Sequence, residues 1–154
     1  MATPVKSIMT NKLTTISMGT SVLTAQKKMV DLRIRHLPVV DEMDDIVGVL
    51  SQRDTNMLMG AQSIPVEFLM SSPVHYMDQN TSVRSAVLKM LELKISCLLI
   101  SDEKENAVGI VTTDDMLWFL AHKLNEEAED KPVVSAMNLQ TIGQVAEELS
   151  LMGI

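Results

Sequence analysis

The sequence predicts a mixed α/β (α+β) fold built from two copies of one β-α-β-β-α repeat and followed by a C-terminal helical tail. Three observations support this prediction. A displacement of 61 residues aligns residues 5–54 with residues 66–115 without a gap, and 16 of the 50 pairs are identical. Within each copy, an apolar helical period alternates with short β-rich runs. The length of 154 residues suits one compact unit, or two small halves that stabilise each other by packing together.

The first half of each repeat is predicted to be a turn, a short strand and a helix. Proline leads the opening turns, residues 4–9 and 65–70, and extended pieces follow at residues 14–16 and 75–77. Thr20 and Thr81 are the predicted N-caps of the helices. Each helix places its apolar side chains on one face: Val22, Ala25, Met29 and Leu32 in the first repeat, and Val83, Ala86, Met90 and Leu93 in the second.

The second half of each repeat is predicted to be a hairpin followed by a helix. Its β-rich strands cover residues 36–41 and 45–50 in the first repeat, and residues 96–102 and 107–111 in the second. Turn-forming residues separate the strands of each hairpin. Gly48 and Gly109 mark points where a neighbouring backbone or a ligand approaches closely. Ser51 and Thr112 are the predicted N-caps of the second helices.

The predicted domain organisation has three parts. The first repeat covers residues 4–61, the second covers residues 62–122, and an acidic helical extension covers residues 123–154. An amphipathic helix is predicted over residues 141–152. Residues 132–137 echo the opening turns, either by coincidence or as a fragment of a third copy.

The composition excludes several classes of protein. The net charge of −7 repels a phosphodiester backbone, so no nucleic-acid partner is expected. No apolar run approaches the ~20 residues of a membrane span, and no signal peptide is visible, so no membrane partner is expected. The single cysteine, Cys97, excludes an intrachain disulfide and indicates a cytoplasmic location. The 13 methionines are either adaptable core filler or a promiscuous binding surface.

No motif of catalysis is present, so the chain is predicted not to be an enzyme. A nucleophile elbow, a P-loop and a His/Cys/Asp constellation are all missing. The three scattered histidines have no metal-ligand spacing with Cys97, which itself is expected to be a buried, inert thiol.

One motif, Gly-h-x-[Ser/Thr]-x-x-Asp with h apolar, stands at the last strand–helix junction of both repeats. It reads Gly48-Val-Leu-Ser51-Gln-Arg-Asp54 and Gly109-Ile-Val-Thr112-Thr-Asp-Asp115. With the duplication, the element order and the strand at residues 36–41, it makes residues 4–122 resemble a CBS-domain pair, also called a Bateman module.

The resemblance implies two repeats packed through their sheets about a pseudo-twofold axis, with two clefts between them. It implies an adenosine-containing ligand (AMP, ADP, ATP or S-adenosylmethionine), no required cofactor, and regulation of a partner. Because the 32 residues after the second repeat are too few for a catalytic domain, a stand-alone module is expected.

The motif residues suit a nucleotide chemically. A carboxylate at a helix start accepts hydrogen bonds from both ribose hydroxyls, which suits Asp54 and Asp115. The hydroxyls of Ser51 and Thr112 would donate to a phosphate beside the helix N-terminus. The alternative interpretation is plain helix capping, with Ser or Thr at the N-cap and Asp three residues later.

The resemblance also implies basic residues that reach the phosphate of the nucleotide anchored by the other repeat. Arg35, His36 and Arg53 are at those positions, although Arg35 could equally be a solvated helix end and His36 a packed strand residue. The second repeat has Ser96, Cys97 and Asp114 at the matching positions. The cleft anchored by Thr112 and Asp115 is therefore expected to bind the anion more tightly than the opposite cleft, which would depend on Lys94 and Ser96.

An adenine ring needs an apolar slot. The residues expected to form it, or else to pack in the core, are Ile16, Leu37, Val39, Tyr76, Met77, Leu98 and Leu99.

The function predicted from the sequence is a ligand-sensing module that binds an adenine nucleotide and signals to an unidentified regulated protein. A homodimer is expected, because the second helices carry apolar residues that include Met57, Leu58, Met116, Leu117 and Phe119. Two alternatives stay open. One is a structural dimerisation module with empty clefts, and the other is an enzyme subunit or metal-binding module.

Overall fold

The computed structural model describes residues 2–56 and 63–128 of the chain, without the side chains of residues 125–128. The predicted helix over residues 141–152 and the echo at residues 132–137 lie outside the described residues. The chain divides into two compact units, Met1–Met116 and Leu117–Ile154. Both repeats lie in the first unit up to the start of the last helix. The elements are β1 Ile16–Ser17, α1 Val22–Leu32, β2 His36–Val40, β3 Ile46–Ser51, α2 Gln52–Asn56, β4 Tyr76–Asp78, α3 Val83–Leu93, β5 Cys97–Ser101, β6 Ala107–Thr112 and α4 Thr113–Ala128.

Each repeat has its own three-stranded sheet, with strand orders β1-β2-β3 and β4-β5-β6. The first pair of strands in each sheet is parallel and the second is antiparallel. The registers repeat as well, since Val39 is paired with Gly48 just as Ile100 is paired with Gly109. The predicted duplicated α/β fold is therefore confirmed.

The first helix of each repeat starts one residue later than predicted. The N-caps are Ser21 and Ser82, whose hydroxyls accept hydrogen bonds from the N–H groups of Thr24 and Ser85. The prediction of Thr20 and Thr81 as N-caps was wrong. The carbonyl groups of these threonines accept backbone hydrogen bonds from the other repeat, and the extended residue that precedes each helix is the following one, Ser21 or Ser82.

The opening turns, residues 4–9 and 65–70, each pack on the opposite repeat. Thr10 forms an antiparallel bridge with Ile110, and 61 residues along the chain Ser71 forms the same bridge with Val49. Such reciprocal contacts are those of two repeats packed about a pseudo-twofold axis. Val66 of the second opening turn lies in the buried core of the first repeat, with the residues Ile16, Ala25, Met29, Leu37, Val39 and Leu50.

The two motif glycines are needed at these crossings. A Cβ added at Gly48 would lie 2.3 Å from Sδ of Met70, and one at Gly109 would lie 2.9 Å from the carbonyl oxygen of Thr10. The close approach expected at both glycines therefore comes from the opening turn of the other repeat. In the described parts of the chain, no helix is long and apolar enough to cross a membrane.

Candidate functional site

The Ser/Thr-x-x-Asp motif forms the same hydrogen-bonded unit in both repeats. Oδ2 of Asp54 accepts from the backbone N–H of Ser51 at 3.0 Å and from its hydroxyl at 2.6 Å. The corresponding distances from Thr112 to Asp115 are both 2.7 Å. Both motifs are thus capping units, in line with the capping interpretation. The second oxygen, Oδ1, makes no hydrogen bond to a described residue in either motif, so each carboxylate keeps one oxygen available for a ligand.

An open cavity of about 150 Å³ lies at the first of these motifs. We call it the Asp54 cavity. It is formed by both repeats, because β3, α2 and the start of β2 supply one wall, and the segments that precede β4 and β5 supply the other. Its lining residues are His36, Val49, Ser51, Arg53, Asp54, Ser71, Pro73, Val74, His75, Lys94, Ile95, Ser96, Cys97 and Leu99.

A second, more polar cavity of about 390 Å³ adjoins the first. We call it the Arg35 cavity. Four residues line both cavities, so the two spaces share a wall. The residues of the Arg35 cavity are Arg35, His36, Ser51, Gln52, Arg53, Asn56, Ser96 and Thr113, of which His36, Ser51, Arg53 and Ser96 are shared.

The two repeats distribute charge unequally around these cavities. Arg35 forms an ion pair with Asp114 across the repeats, and both side chains are about half exposed. The positions related to Arg35 and Asp114 by the repeat are Ser96 and Arg53. Because neither of these residues carries a carboxylate, they form no equivalent ion pair. Arg53 makes no ion pair with any described residue and lines both cavities. Lys94 also lines the Asp54 cavity, so this cavity holds cations without a bound carboxylate partner in the described part of the chain.

His36 connects the two repeats at the shared wall. Its Nε2 lies 2.7 Å from Oγ of Ser96. Burial lowers the pKa of His36 and Arg35 lowers it further, against the opposing effect of Asp114 and Asp54. The imidazole is therefore neutral at pH 7. Burial raises the pKa of the neighbouring Cys97 to about 11, which keeps this thiol protonated, as expected of an inert cysteine.

The structure brings some of the predicted site residues together and separates others. Ser51, Asp54, His36, Arg53 and Leu99 meet in the Asp54 cavity, together with the Lys94 and Ser96 that were expected to serve it. Arg35 lines the Arg35 cavity, where its guanidinium pairs with Asp114.

The other predicted residues lie outside both cavities. Ile16, Leu37 and Val39 are in the buried core of the first repeat, and Leu98 is buried as well. Thr112 and Asp115 cap the start of α4, while Tyr76 and Met77 are in strand β4.

Several cavity residues had no counterpart in the sequence prediction. Val49, Pro73, Val74, His75 and Ile95 are in this group. No signal in the sequence pointed to the segment before β4, because it reaches the cavity through a contact between the repeats, the bridge of Val49 with Ser71. Among the described residues, no group of three or more His, Cys, Asp or Glu side chains could hold a metal ion.

Comparison with known proteins gives one family match for each repeat. The CBS domain family matches residues 5–55 and 66–122. The crystal structure of a CBS domain pair in complex with 5′-methylthioadenosine and S-adenosyl-L-methionine is similar, with a TM-score of 0.73 and 28% identity, and the match covers 80% of this chain and 99% of that one. An uncharacterized conserved protein from Pyrococcus horikoshii has a TM-score of 0.71 and 31% identity, over 78% of this chain and 93% of that one.

Curated relatives are much longer. The homoserine O-acetyltransferase of Methanococcoides burtonii is 32% identical over 114 residues, which are 74% of this chain and 23% of the relative. The L-aspartate semialdehyde sulfurtransferase of Methanocaldococcus jannaschii is 29% identical over 74% of this chain and 22% of its own length. The chain thus spans less than a quarter of either relative.

Proposed function

This chain belongs to the CBS domain family, and from that premise we propose that it is a regulatory module that binds an adenosine-containing ligand in the Asp54 cavity. The observation that carries the proposal is the cavity itself, in which an available carboxylate oxygen, an apolar wall and unpaired cations face one space. The solved CBS domain pair with two bound adenosine derivatives supports the class of ligand.

Asp54 supplies the contact to the ribose. Its Oδ2 is held by Ser51, so the carboxylate is oriented before a ligand arrives. The available Oδ1 accepts from a ribose hydroxyl in a charge-assisted hydrogen bond. The capping interpretation and the binding interpretation are therefore compatible, because the cap fixes one oxygen and leaves the other for the ligand.

The apolar wall supplies the adenine slot. Its residues come from both sides of the cavity, namely Val49 from β3 of the first repeat and Pro73, Val74, Ile95 and Leu99 from the second repeat. Aliphatic side chains pack against both faces of a flat heterocycle, and the area they bury contributes about 25 cal/mol per Å². Of the apolar residues expected from the sequence, Leu99 is the one in this wall.

Cations supply the contact to a negatively charged group. Arg53 and Lys94 line the Asp54 cavity without a carboxylate partner among the described residues, whereas Arg35 is neutralised by Asp114. An anion therefore gains more beside Arg53 than beside Arg35. For this reason we favour the cleft of Asp54, whereas the sequence alone favoured the cleft of Asp115.

A ligand in the Asp54 cavity touches both repeats, so its binding favours one arrangement of the two over others. We propose that this difference is passed to a regulated protein in the cytoplasm. The transferase activities named for the long relatives belong to proteins of which the match to this chain covers less than a quarter.

The test is titration calorimetry of AMP and 5′-methylthioadenosine with the wild type, Asp54→Asn and Asp115→Asn. Asp54 and Asp115 have the same place in equivalent capping units, one in each repeat, so each variant is a control for the structural effect of the other. Asp54→Asn changes a charge-assisted bond into a neutral one, and we expect about tenfold weaker binding of both ligands. Asp115→Asn should bind within about twofold of the wild type.

Two outcomes would contradict this proposal. A larger loss with Asp115→Asn would move the site to the other cleft. No heat with either ligand, or with ADP, ATP and S-adenosylmethionine, would favour the alternative of a dimerisation module with empty clefts.

A further inference from the structure

His36 is the titratable group at the wall shared by the two cavities. It begins β2 and reaches across to Ser96 of the second repeat, with 2.7 Å between Nε2 and Oγ. The repeat-related position holds Cys97, whose thiol stays protonated at neutral pH. An imidazole therefore stands on one side of the pseudo-twofold axis only.

The charges around His36 come from every element that packs on it. Arg35 precedes it in the chain, α2 brings Arg53 and Asp54, and α4 brings Asp114. The segments before β4 and β5 bring His75 and Lys94 to the same cavity. Arg35 and Asp114 neutralise each other in their ion pair, so Arg53 is the nearby cation that no carboxylate neutralises in the described structure.

A negative group that binds beside Arg53 changes this balance. Because Arg53 and His36 line both cavities together, a phosphate that reaches one of them also faces the other. The empty site favours the neutral imidazole, chiefly because burial disfavours the charged form, and also because Arg35 and Arg53 are near it. A bound phosphate supplies the missing negative charge and favours the imidazolium.

We propose that His36 makes the binding of an anionic adenosine ligand dependent on proton uptake, so that the module responds jointly to the ligand and to pH. The inference rests on the function proposed above. A proton from solvent joins the imidazole as the phosphate binds, and it leaves when the phosphate leaves. An adenosine ligand without a negative charge binds with no such proton.

The Ser96 hydroxyl takes part in the same change. A neutral imidazole either accepts from this hydroxyl or donates to it, whereas an imidazolium only donates. Once His36 is protonated, Oγ of Ser96 is the acceptor, and its own hydrogen becomes available to the ligand. The phosphate then gains a donor from each repeat.

The experiment measures protons taken up on binding. Titration calorimetry of AMP at pH about 6.5 and 7.5, in two buffers of different ionisation enthalpy and without phosphate, gives the uptake by the wild type. His36→Gln keeps a side chain able to hydrogen-bond to Ser96 and removes the titration. We expect the wild type to take up a fraction of a proton more than His36→Gln. Protons taken up by the AMP phosphate itself are common to both proteins, so the difference between the two measurements removes them. The affinity for AMP should weaken about threefold to tenfold between pH 6.5 and 8 in the wild type and less in the variant.

Two controls make the result specific. His75→Gln removes the other imidazole of the cavity and should keep the extra uptake, and 5′-methylthioadenosine should bind the wild type without it. A nuclear magnetic resonance titration of the wild-type His36 ring, which needs no variant, should show a higher pKa with AMP than without.

Equal proton uptake by the wild type and His36→Gln would overturn the inference, as would an unchanged His36 pKa on addition of AMP. In either case AMP still binds, and the proposed function stands. Absence of any AMP or 5′-methylthioadenosine binding would instead overturn both.

Discussion

Four residues show how the duplicated sequence has become asymmetric. Arg35 and Ser96 are related by the repeat, as are Arg53 and Asp114. On one side these positions form the ion pair of Arg35 with Asp114, and on the other they place Arg53 near Ser96 and His36. One substituted pair of positions thus yields a neutralised arginine, Arg35, and an available arginine, Arg53. Both line the Arg35 cavity, and Arg53 also lines the Asp54 cavity.

This asymmetry predicts unequal effects of removing the two arginines. Arg53→Gln should weaken AMP binding about tenfold to a hundredfold, because a charge-assisted hydrogen bond contributes about 1.5–3 kcal/mol. Binding of adenosine should change less than about threefold. Arg35→Gln is the matched control and should cost AMP at most a few fold, since an exposed ion pair such as the one with Asp114 contributes about 0–1 kcal/mol. Calorimetric titration of both variants with AMP and adenosine measures these affinities. A greater loss of AMP affinity in Arg35→Gln than in Arg53→Gln would contradict the assignment of the anion to Arg53.

The residues of the candidate site were predictable where they belong to the repeated motif, and not where they depend on contacts between the two repeats. Ser51 and Asp54 follow from the motif, and Arg53 and His36 from the position of basic residues beside it. The ion pair of Arg35 with Asp114 was not predictable, because it depends on how the two repeats face each other. Val39 and Ile16 were offered for the adenine slot, yet an alternating apolar strand does not show which of its faces meets the core, and both residues are in the core.

At the scale of elements, the strands and helices followed from local pattern, whereas the exchange of the opening turns did not. The turns at residues 4–9 and 65–70 look like independent starts of two domains. In the structure each forms backbone hydrogen bonds with the other repeat, as Val5 does with Thr81 and Val66 with Thr20. Such bonds are long-range and leave no period in the sequence. They also bear on the misplaced N-caps, because the carbonyls of Thr20 and Thr81 accept these bonds and the helices are capped one residue later, by Ser21 and Ser82.

The glycines at the crossings predict which of two equivalent substitutions costs more. Gly109→Ala places a Cβ 2.9 Å from the carbonyl oxygen of Thr10, a backbone atom fixed by the bridge with Ile110. Gly48→Ala meets chiefly the end of the Met70 side chain, which has rotatable bonds. We expect Gly109→Ala to lower the free energy of unfolding by about 1–3 kcal/mol, and Gly48→Ala by less.

Urea denaturation followed by circular dichroism measures both changes under one condition. Gly48→Ala serves as the control for the loss of backbone freedom that any glycine-to-alanine change brings. An equal cost at the two sites, or a greater one at Gly48, would show that the crossings do not constrain the chain as the contacts indicate.

At the scale of the whole molecule, duplication explains both the fold and the position of the site. Neither repeat supplies a complete cavity, because β3 and α2 of the first repeat meet the segments before β4 and β5 of the second. The first repeat also lacks a complete core without Val66. The predicted limits at residues 61 and 62 describe the sequence duplication and stay a prediction as domain boundaries, since packing joins residues from both sides of them.

The last prediction concerns assembly, and it rests on α4. Leu117, Trp118, Leu120 and Leu124 are 64%, 68%, 51% and 57% exposed. Leu117, Leu120 and Leu124 are three and four residues apart, which places them on one face of the helix. Of the other residues expected at a dimer interface, Met116 and Phe119 are half-buried, and Met57 and Leu58 lie outside the described residues. Apolar side chains exposed together on one helix are typical of an interface, so we propose that a second copy of the chain covers this face.

Light scattering at micromolar concentration should give about twice the chain mass of 17.0 kDa. Leu120→Glu puts a charge in the middle of the α4 face and should yield a monomer, because a buried unpaired carboxylate costs several kcal/mol. Leu91→Glu is the control, since Leu91 is an apolar residue of a different helix, α3, and is 69% exposed, and it should leave the dimer intact. A wild-type mass of 17 kDa would exclude the dimer. If Leu91→Glu dissociated the dimer and Leu120→Glu did not, the interface would instead lie on α3. The dimer would then form through the first helix of the second repeat, and not through α4, the helix that follows the motif of Thr112 and Asp115.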